Sequence, residues 1–382
     1  MSKQNLRIAI TGGGTGGHLS PAIAVIETLR KRGEGEAPEI LYLGSKQGTE
    51  ARVIPLMGVR YKTVTTGKLR RYLSVENLLD VLRVPVGVLQ SLAHLLRFRP
   101  RALLATGGYV AVPPVLAAAF LRIPILVHEQ TMTIGLANRV SARFASRIAL
   151  SVPGSEKGLR GTNWVLTGNP VRAAVRSGHR DTAARRFRFD PTVPTVYITG
   201  GAQGSHAINQ AILGALQPLL TLAQVIHQCG DSEGTRADYE ELVRRVAELP
   251  QELQTRYILL RYVGGEIGEV YALSDLVVGR AGAGTINELA VLGKPSLLIP
   301  LPRSAGDEQR LNARRLEAAG AAVVLEERDL TPERLVQEVR GLLQAPERLT
   351  QMSEAGTALG IGDAEERLAD LVMEMARRAE KG

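Results

Sequence analysis

Residues 11–18 read Thr-Gly-Gly-Gly-Thr-Gly-Gly-His, between an apolar run (Leu6, Ile8, Ala9, Ile10) and the stretch Leu19 to Val25. A strand, a glycine-rich turn and a helix fit that pattern. Glycines let the backbone bend through positive φ or pass close to a ligand, and a helix N-terminus behind them offers free N–H groups to an anion such as a phosphate. His18, at the mouth of the turn, takes up a proton near neutral pH and is the candidate base. The spacing Gly12-x-Gly14-x-x-Gly17 also fits the dinucleotide fingerprint, which requires an acidic residue at the end of the second strand to hold a ribose. The second strand, Ile40 to Leu43, is followed by Gly44-Ser45-Lys46 with no carboxylate, so a nicotinamide-dependent dehydrogenase is disfavoured.

Residues 276–300, LVVGRAGAGTINELAVLGKPSLLIP, form a second rich stretch. A buried strand is expected to end at Gly279. The small-residue turn Arg280-Ala281-Gly282-Ala283-Gly284 then opens a helix at Thr285, with Glu288 on its first turn. Free amides there suit a diphosphate, and the carboxylate suits a pair of ribose hydroxyls. The same carboxylate would also favour the helix dipole with no ligand at all. Downstream, Asp307-Glu308-Gln309-Arg310-Leu311-Asn312-Ala313 supplies acids and amides able to grip sugar hydroxyls. The chain has no Asp-x-Asp pair for a nucleotide-bound divalent ion and no Gly-Lys-Ser/Thr loop. Its single cysteine, Cys229, excludes a CxxC metal site and an internal disulfide. No metal and no cofactor are therefore expected. His179, His206 and His227 read as structural or surface residues.

The elements that must position these groups alternate. Strands are expected at 6–11, 39–43, 102–105, 124–127 and 147–150, separated by helical stretches. The pattern restarts at Thr195-Val196-Tyr197-Ile198-Thr199, followed by a second glycine turn, Gly200-Gly201-Ala202-Gln203-Gly204-Ser205. Further strands are expected at 223–227, 257–261, 276–279, 296–299 and 322–325. Such alternation implies parallel sheets with crossover helices. The simplest architecture is α/β, two Rossmann-like doubly wound domains facing an interdomain cleft. The boundary falls near Gly168-Asn169-Pro170, giving an N-terminal domain of residues 1–166, a second of 167–362, and a C-terminal helix of 363–382 able to return to the first.

Composition narrows the partners. The 382 residues carry a net charge of +9, but residues 1–165 hold 22 Lys/Arg against 9 Asp/Glu and the remainder 25 against 29. A basic first half suits nucleic acid or an anionic membrane. Only 4% of residues are aromatic and no nucleic-acid motif is present, so nucleic acid is the disfavoured partner. Ala102 to Leu121 is uncharged, yet Gly107-Gly108 and Pro113-Pro114 interrupt it, so strand, loop and helix are expected rather than a membrane span. Val75, Leu78, Leu79 and Leu82 share one helix face that Pro85 is expected to break; Val86, Leu89, Leu92, Leu95 and Leu96 follow. Lys68, Arg70, Arg71, Arg83, Arg97, Arg99 and Arg101 surround both stretches. Core packing and an apolar patch with a basic rim on anionic lipid are both consistent with this pattern. Residues 1–5 show no signal-peptide core, and a reducing cytoplasm is the expected setting.

The motifs GGGTGGH, GGY at 107–109, HEQ at 128–130, GNPVR at 168–172, GGAQGS at 200–205, GAGTINE at 282–288 and DEQRLNA at 307–313 occur in that order. Together they resemble the bacterial MurG family of glycosyltransferases, over nearly the whole chain. The resemblance implies a GT-B fold and inverting transfer of GlcNAc from UDP-GlcNAc to lipid I, giving lipid II for peptidoglycan. It further implies that Thr15, Gly16, Gly17, Thr131, Arg172, Ala202, Val263, Ala283, Gly284, Thr285, Glu288 and Gln309 serve the donor. Within that set, Arg172 would meet the diphosphate, Val263 the uracil, Glu288 the ribose and Gln309 the GlcNAc hydroxyls. Gly14, Tyr109 and Asn138 fall on the acceptor side, with His18 the base and Glu129 the reserve base. The chain departs from the family pattern at Thr131, Ala202 and Ala281, where Asn, Ser and Ser are common. The implied place is peripheral, on the cytoplasmic face of the plasma (inner) membrane, with an anionic membrane surface and other cell-wall synthesis proteins as partners. A UDP-sugar 2-epimerase of the same fold is the rival enzyme, against which the histidine-bearing loop and the GGY and HEQ motifs argue. A non-catalytic scaffold that only binds UDP-sugar is the third reading.

Overall fold

The structure, a computed structural model, describes residues 6–14, 16–32, 37–67, 75–159, 161 and 163–381. Thr15, Lys68, Arg70 and Arg71 lie outside the described residues, as do the side chains of Val75, Leu78, Leu79 and Leu82. The chain divides into two compact units, residues 1–172 with 361–382, and residues 173–360. The junctions at 172/173 and 360/361 compare with 166/167 and 362/363 read from the sequence. The segment after 166 stays with the first unit because Gly168 lies against the C-terminal segment: a Cβ there would stand 2.6 Å from that of Ile361 and 3.0 Å from that of Ala364.

Among the described residues the first unit holds seven strands: β1 (Arg7–Thr11), β2 (Glu39–Gly44), β3 (Arg60–Thr63), β4 (Ala102–Ala105), β5 (Ile125–Glu129), β6 (Arg147–Leu150) and β7 (Trp164–Leu166). They form one parallel sheet in the order β3-β2-β1-β4-β5-β6-β7. The second unit holds β8 (Thr195–Thr199), β9 (Gln224–Gln228), β10 (Tyr257–Leu260), β11 (Leu276–Gly279), β12 (Ser296–Leu298) and β13 (Ala322–Val324), parallel in the order β10-β9-β8-β11-β12-β13. Strand order reverses between β1 and β4 in one sheet and between β8 and β11 in the other. In open α/β sheets the crevice at the carboxyl ends of such a pair is the place where ligands bind.

Burial follows the period of two. Ile8 and Ile10 face a core shared with the helices Gly16–Arg30 and Ala364–Lys381, while Ala9, Leu41, Leu43 and Leu103 face one shared with Val75–Phe98 and Val112–Phe120. Leu368, Val372, Met373 and Ala376 of the C-terminal helix are fully buried in the first of these cores. Two edge strands, β3 and β7, are additional to those read from the sequence. β3 is Arg-Tyr-Lys-Thr and β7 only three residues long, so neither carries the apolar run that marks a central strand.

Pro85 does not break the helix over Val75–Phe98, which runs through it. An internal proline removes one backbone hydrogen bond and crowds the preceding turn. The half beyond it is held by packing: Gly87, Ser91, Leu95 and Phe98 are buried, and Gly87 lies close to Pro113 of the adjacent helix. That same packing sorts the leucine stripe. Leu95 belongs to the core, whereas Val86, Leu89 and Leu96 are 46%, 67% and 58% exposed. No helix among the described residues is long and apolar enough to cross a membrane.

Candidate active site

In the first unit the groups singled out by sequence gather at the carboxyl ends of β1, β4 and β5. Gly13 and Gly14 adopt φ of +138° and +82°, which glycine alone enters readily. Beneath them sits Glu50, fully buried on the helix Thr49–Leu56. Its carboxylate accepts hydrogen bonds from Gly14 N (3.3 Å), Ser45 N (3.2 Å) and Ser45 Oγ (2.6 Å). A Cβ at Gly13 would stand 2.5 Å from that carboxylate, and one at Gly14 would stand 2.4 Å from the Tyr109 ring. An acidic side chain under this turn opposes the phosphate cradle that its glycines suggest.

His18 is the third residue of the helix Gly16–Arg30. Its carbonyl accepts from Thr106 Oγ1 (2.8 Å), and its Nδ1 lies 2.7 Å from the Gln130 carboxamide nitrogen. The ring rests on Gly107 and Gly108, where any Cβ would press against it. Burial lowers the imidazole below its usual 6.5, against the pull of the Glu129 charge and a bond to the Thr106 backbone. The ring is therefore neutral near pH 7.

Glu129, the last residue of β5, is buried with both oxygens engaged. Oε1 accepts from Thr131 N (3.0 Å) and Thr131 Oγ1 (2.8 Å), and Oε2 from Gly135 N (3.2 Å) and Asn138 Nδ2 (3.0 Å). This geometry organises the 130–138 loop and leaves the carboxylate poorly disposed to take a proton from a substrate. It also places Thr131 and Asn138 as its holders. His128 is fully buried, bonded to Ser151 Oγ (2.9 Å) and Gly168 O (3.2 Å).

The second unit repeats the plan at β8 and β11. Ser205 caps the helix His206–Leu222, accepting from Ile208 N. Buried Arg280 ties the two glycine turns together: it donates to Ser205 Oγ (2.7 Å) and Ile299 O (3.1 Å) and pairs with Glu327. Gly282 caps the helix Ala283–Leu292, and Gly284 has open space where a side chain would stand. Glu288 lies on the second turn of this helix, not the first, because the helix opens at Ala283 rather than Thr285. That placement weakens the helix-dipole explanation for it. Glu288 Oε2 accepts from Tyr271 OH (2.9 Å). Val263 is buried and its N–H donates to Gln228 Oε1 (3.0 Å), while Gln228 Nε2 donates to Gly201 O. Gln309 Oε1 accepts from Leu301 N (3.0 Å), and Asn312 donates to Ala281 O (3.0 Å). Ala202 is exposed in the first glycine turn, Thr285 half-buried in the second. Arg172 ends the first unit, half-buried, with Nε unpartnered.

Sequence reasoning missed Glu50, Thr106, Gln228, Tyr271 and Arg280 as organisers, and left Gln130 without a role. Each acts on a group distant in sequence, and no local pattern marks it. Of the three histidines read as structural or surface, His227 is buried between Tyr257 OH (2.6 Å) and Asn209 (3.1 Å), and exposed His206 pairs with buried Asp238.

Residues 8–150 match the glycosyltransferase family 28 N-terminal domain and residues 195–368 its C-terminal domain. The chain is 35% identical over 373 residues to the UDP-N-acetylglucosamine--N-acetylmuramyl-(pentapeptide) pyrophosphoryl-undecaprenol N-acetylglucosamine transferase of Halalkalibacterium halodurans, covering 97% of this chain and 100% of that one. It is 38% identical to the enzyme of the same name from Paenarthrobacter aurescens, covering 97% and 96%. Among solved structures, Acinetobacter baumannii MurG superposes with a TM-score of 0.71 at 24% identity, over 97% of this chain and 99% of that one. A putative UDP-N-acetylglucosamine 2-epimerase from Listeria monocytogenes reaches the same TM-score at 13% identity, over 98% of each. The structural likenesses establish a GT-B fold. The sequence identities go further: the chain belongs to the family of the UDP-N-acetylglucosamine--N-acetylmuramyl-(pentapeptide) pyrophosphoryl-undecaprenol N-acetylglucosamine transferases.

Proposed function

We propose that the protein transfers GlcNAc from UDP-GlcNAc to the MurNAc 4-hydroxyl of lipid I, releasing UDP and lipid II with inversion at the anomeric carbon. The observation that carries this reading is the neutral, partly enclosed His18 imidazole at the first unit's switch point. A sugar hydroxyl is a poor nucleophile until its proton is removed as it attacks, and a neutral imidazole is suited to that step. As the new C–O bond forms, the proton passes to His18 and the bond to the diphosphate breaks. In the second unit Glu288 takes the ribose hydroxyls, Gln309 the sugar, and Ala283, Gly284 and Thr285 the phosphates. Charge on departing UDP is met by the helix N-terminus and Arg172, so turnover needs no metal and survives EDTA. Incubation with labelled UDP-GlcNAc and a short-chain lipid I analogue should yield UDP and a disaccharide lipid. A released ManNAc-type sugar, or donor binding with no UDP release, would overturn the reading.

The acceptor is a membrane lipid, and the exposed Val86, Leu89 and Leu96 supply an apolar face beside Arg83 and Arg97. This supports peripheral docking on the anionic inner surface of the plasma membrane through the first unit.

A further inference from the structure

Gln130 follows β5 directly and is buried, yet its carboxamide has few partners. The nitrogen lies 2.7 Å from His18 Nδ1 and 3.4 Å from Thr106 O, and the oxygen has no partner among the described residues. A half-turn of the carboxamide exchanges oxygen and nitrogen at His18, sacrifices no bond at the oxygen's present position and gives up only the long 3.4 Å bond to Thr106 O. The two orientations have opposite consequences for the ring. With NH2 facing Nδ1, that nitrogen is an acceptor, the proton sits on Nε2, and neither ring nitrogen is open as a base. With the carbonyl facing Nδ1–H, the lone pair is on Nε2. We propose that Gln130 is a positioning residue that sets the His18 tautomer: its oxygen accepts from Nδ1–H in the reactive state, opening Nε2 to take the acceptor hydroxyl proton. The resulting imidazolium keeps the same Nδ1–H···O bond while Nε2 holds the new proton. The Thr106 backbone also bonds to the His18 ring. Among the described residues, the titratable groups facing the ring are Glu129 and His128, both on β5.

The inference rests on His18 being the base, but its test has a readout independent of turnover. Nitrogen NMR of the full chain with labelled histidine reports which His18 nitrogen is protonated, the resonance being assigned by its loss in His18→Ala. In the unsubstituted protein above the His18 pKa, Nδ1 should be the protonated nitrogen. Gln130→Met should shift the population toward Nε2–H. It should also lower kcat by about 10–10³-fold, within the share a base contributes, while donor KM stays unchanged. Gln130→Glu, whose carboxylate only accepts, should hold the Nδ1–H form, restore most of kcat at alkaline pH, and move the acidic limb of the kcat profile upward. A fully Nε2–H ring in the unsubstituted protein, or one unmoved by Gln130→Met, would overturn the proposal whatever the activities. Equal loss in Met and Glu variants with unchanged His18 resonances would show a merely structural residue. Normal activity in His18→Ala would remove the base reading and leave the tautomer measurement standing.

Discussion

Replacing Glu50 tests whether the first glycine turn is held from below. In Glu50→Ala the carboxylate that accepts from Gly14 N, Ser45 N and Ser45 Oγ is lost. The Ser45 hydroxyl retains a partner, because its oxygen already accepts from Gly48 N (2.9 Å). The two backbone N–H groups do not, and each such buried orphan costs about 1–3 kcal/mol, so destabilisation of about 2–6 kcal/mol is expected. Glu50→Gln keeps one acceptor oxygen, which the shorter contacts assign to Ser45, and turns an NH2 toward Gly14 N. Its expected cost is that of one orphan, about 1–3 kcal/mol. Urea denaturation gives the ordering, and amide exchange of the 12–18 segment should accelerate in both variants. UDP affinity by calorimetry should fall far less than in Glu288→Ala, since Glu288, Gln309 and residues 283–285, which we propose hold the donor, belong to the second unit. A stability change below about 0.5 kcal/mol in Glu50→Ala, the level of an inert surface substitution, with the turn still protected, would refute the reasoning.

His18→Ala should lower kcat by about 10²–10⁴-fold with donor KM little altered, and in the intact enzyme the acidic limb should lie below 6.5 because burial lowers this imidazole. Glu288→Ala should weaken UDP binding by about 1–3 kcal/mol in calorimetry, the range for a lost charged hydrogen bond; unchanged affinity would remove the residue from the site. Leu89→Glu with Leu96→Glu should abolish binding to anionic vesicles without altering thermal stability, since both side chains are exposed; unaltered vesicle binding would send the membrane contact elsewhere. Burial holds His128 down at about 4 and His227 at about 3. The unfolded chain binds these protons near 6.5, so stability is full above that pH and declines as pH falls toward 4, by up to about 1.4 kcal/mol per pH unit for each ring. A urea midpoint constant between pH 7 and pH 5 would contradict neutral buried rings.

What the sequence discloses here depends on where each residue's partners lie. Central strands such as Val196–Ile198 are readable because burial on both faces demands uninterrupted apolar residues. β3 and β7 escape because an edge strand needs no such run. Pro85 misleads because the local rule against proline is outweighed by packing of Gly87 and Leu95 on the next helix. In the site, the glycine turns and His18 announce themselves by composition. Glu50 and Tyr271 do not, because a carboxylate 36 positions from Gly14 and a phenol 17 from Glu288 acquire meaning only after folding.

The C-terminal helix bears on synthesis. Leu368, Val372, Met373 and Ala376 complete the core built around Ile8, Ile10 and Ile26, so the second unit is an insertion within the first. A chain emerging from the ribosome can finish its second unit before the helix Ala364–Lys381 is released. The first unit must wait, its apolar face open where that helix will lie, until the helix has emerged. Loss of the helix Ala364–Lys381 would thus spare the second unit and strand the first as a chaperone client.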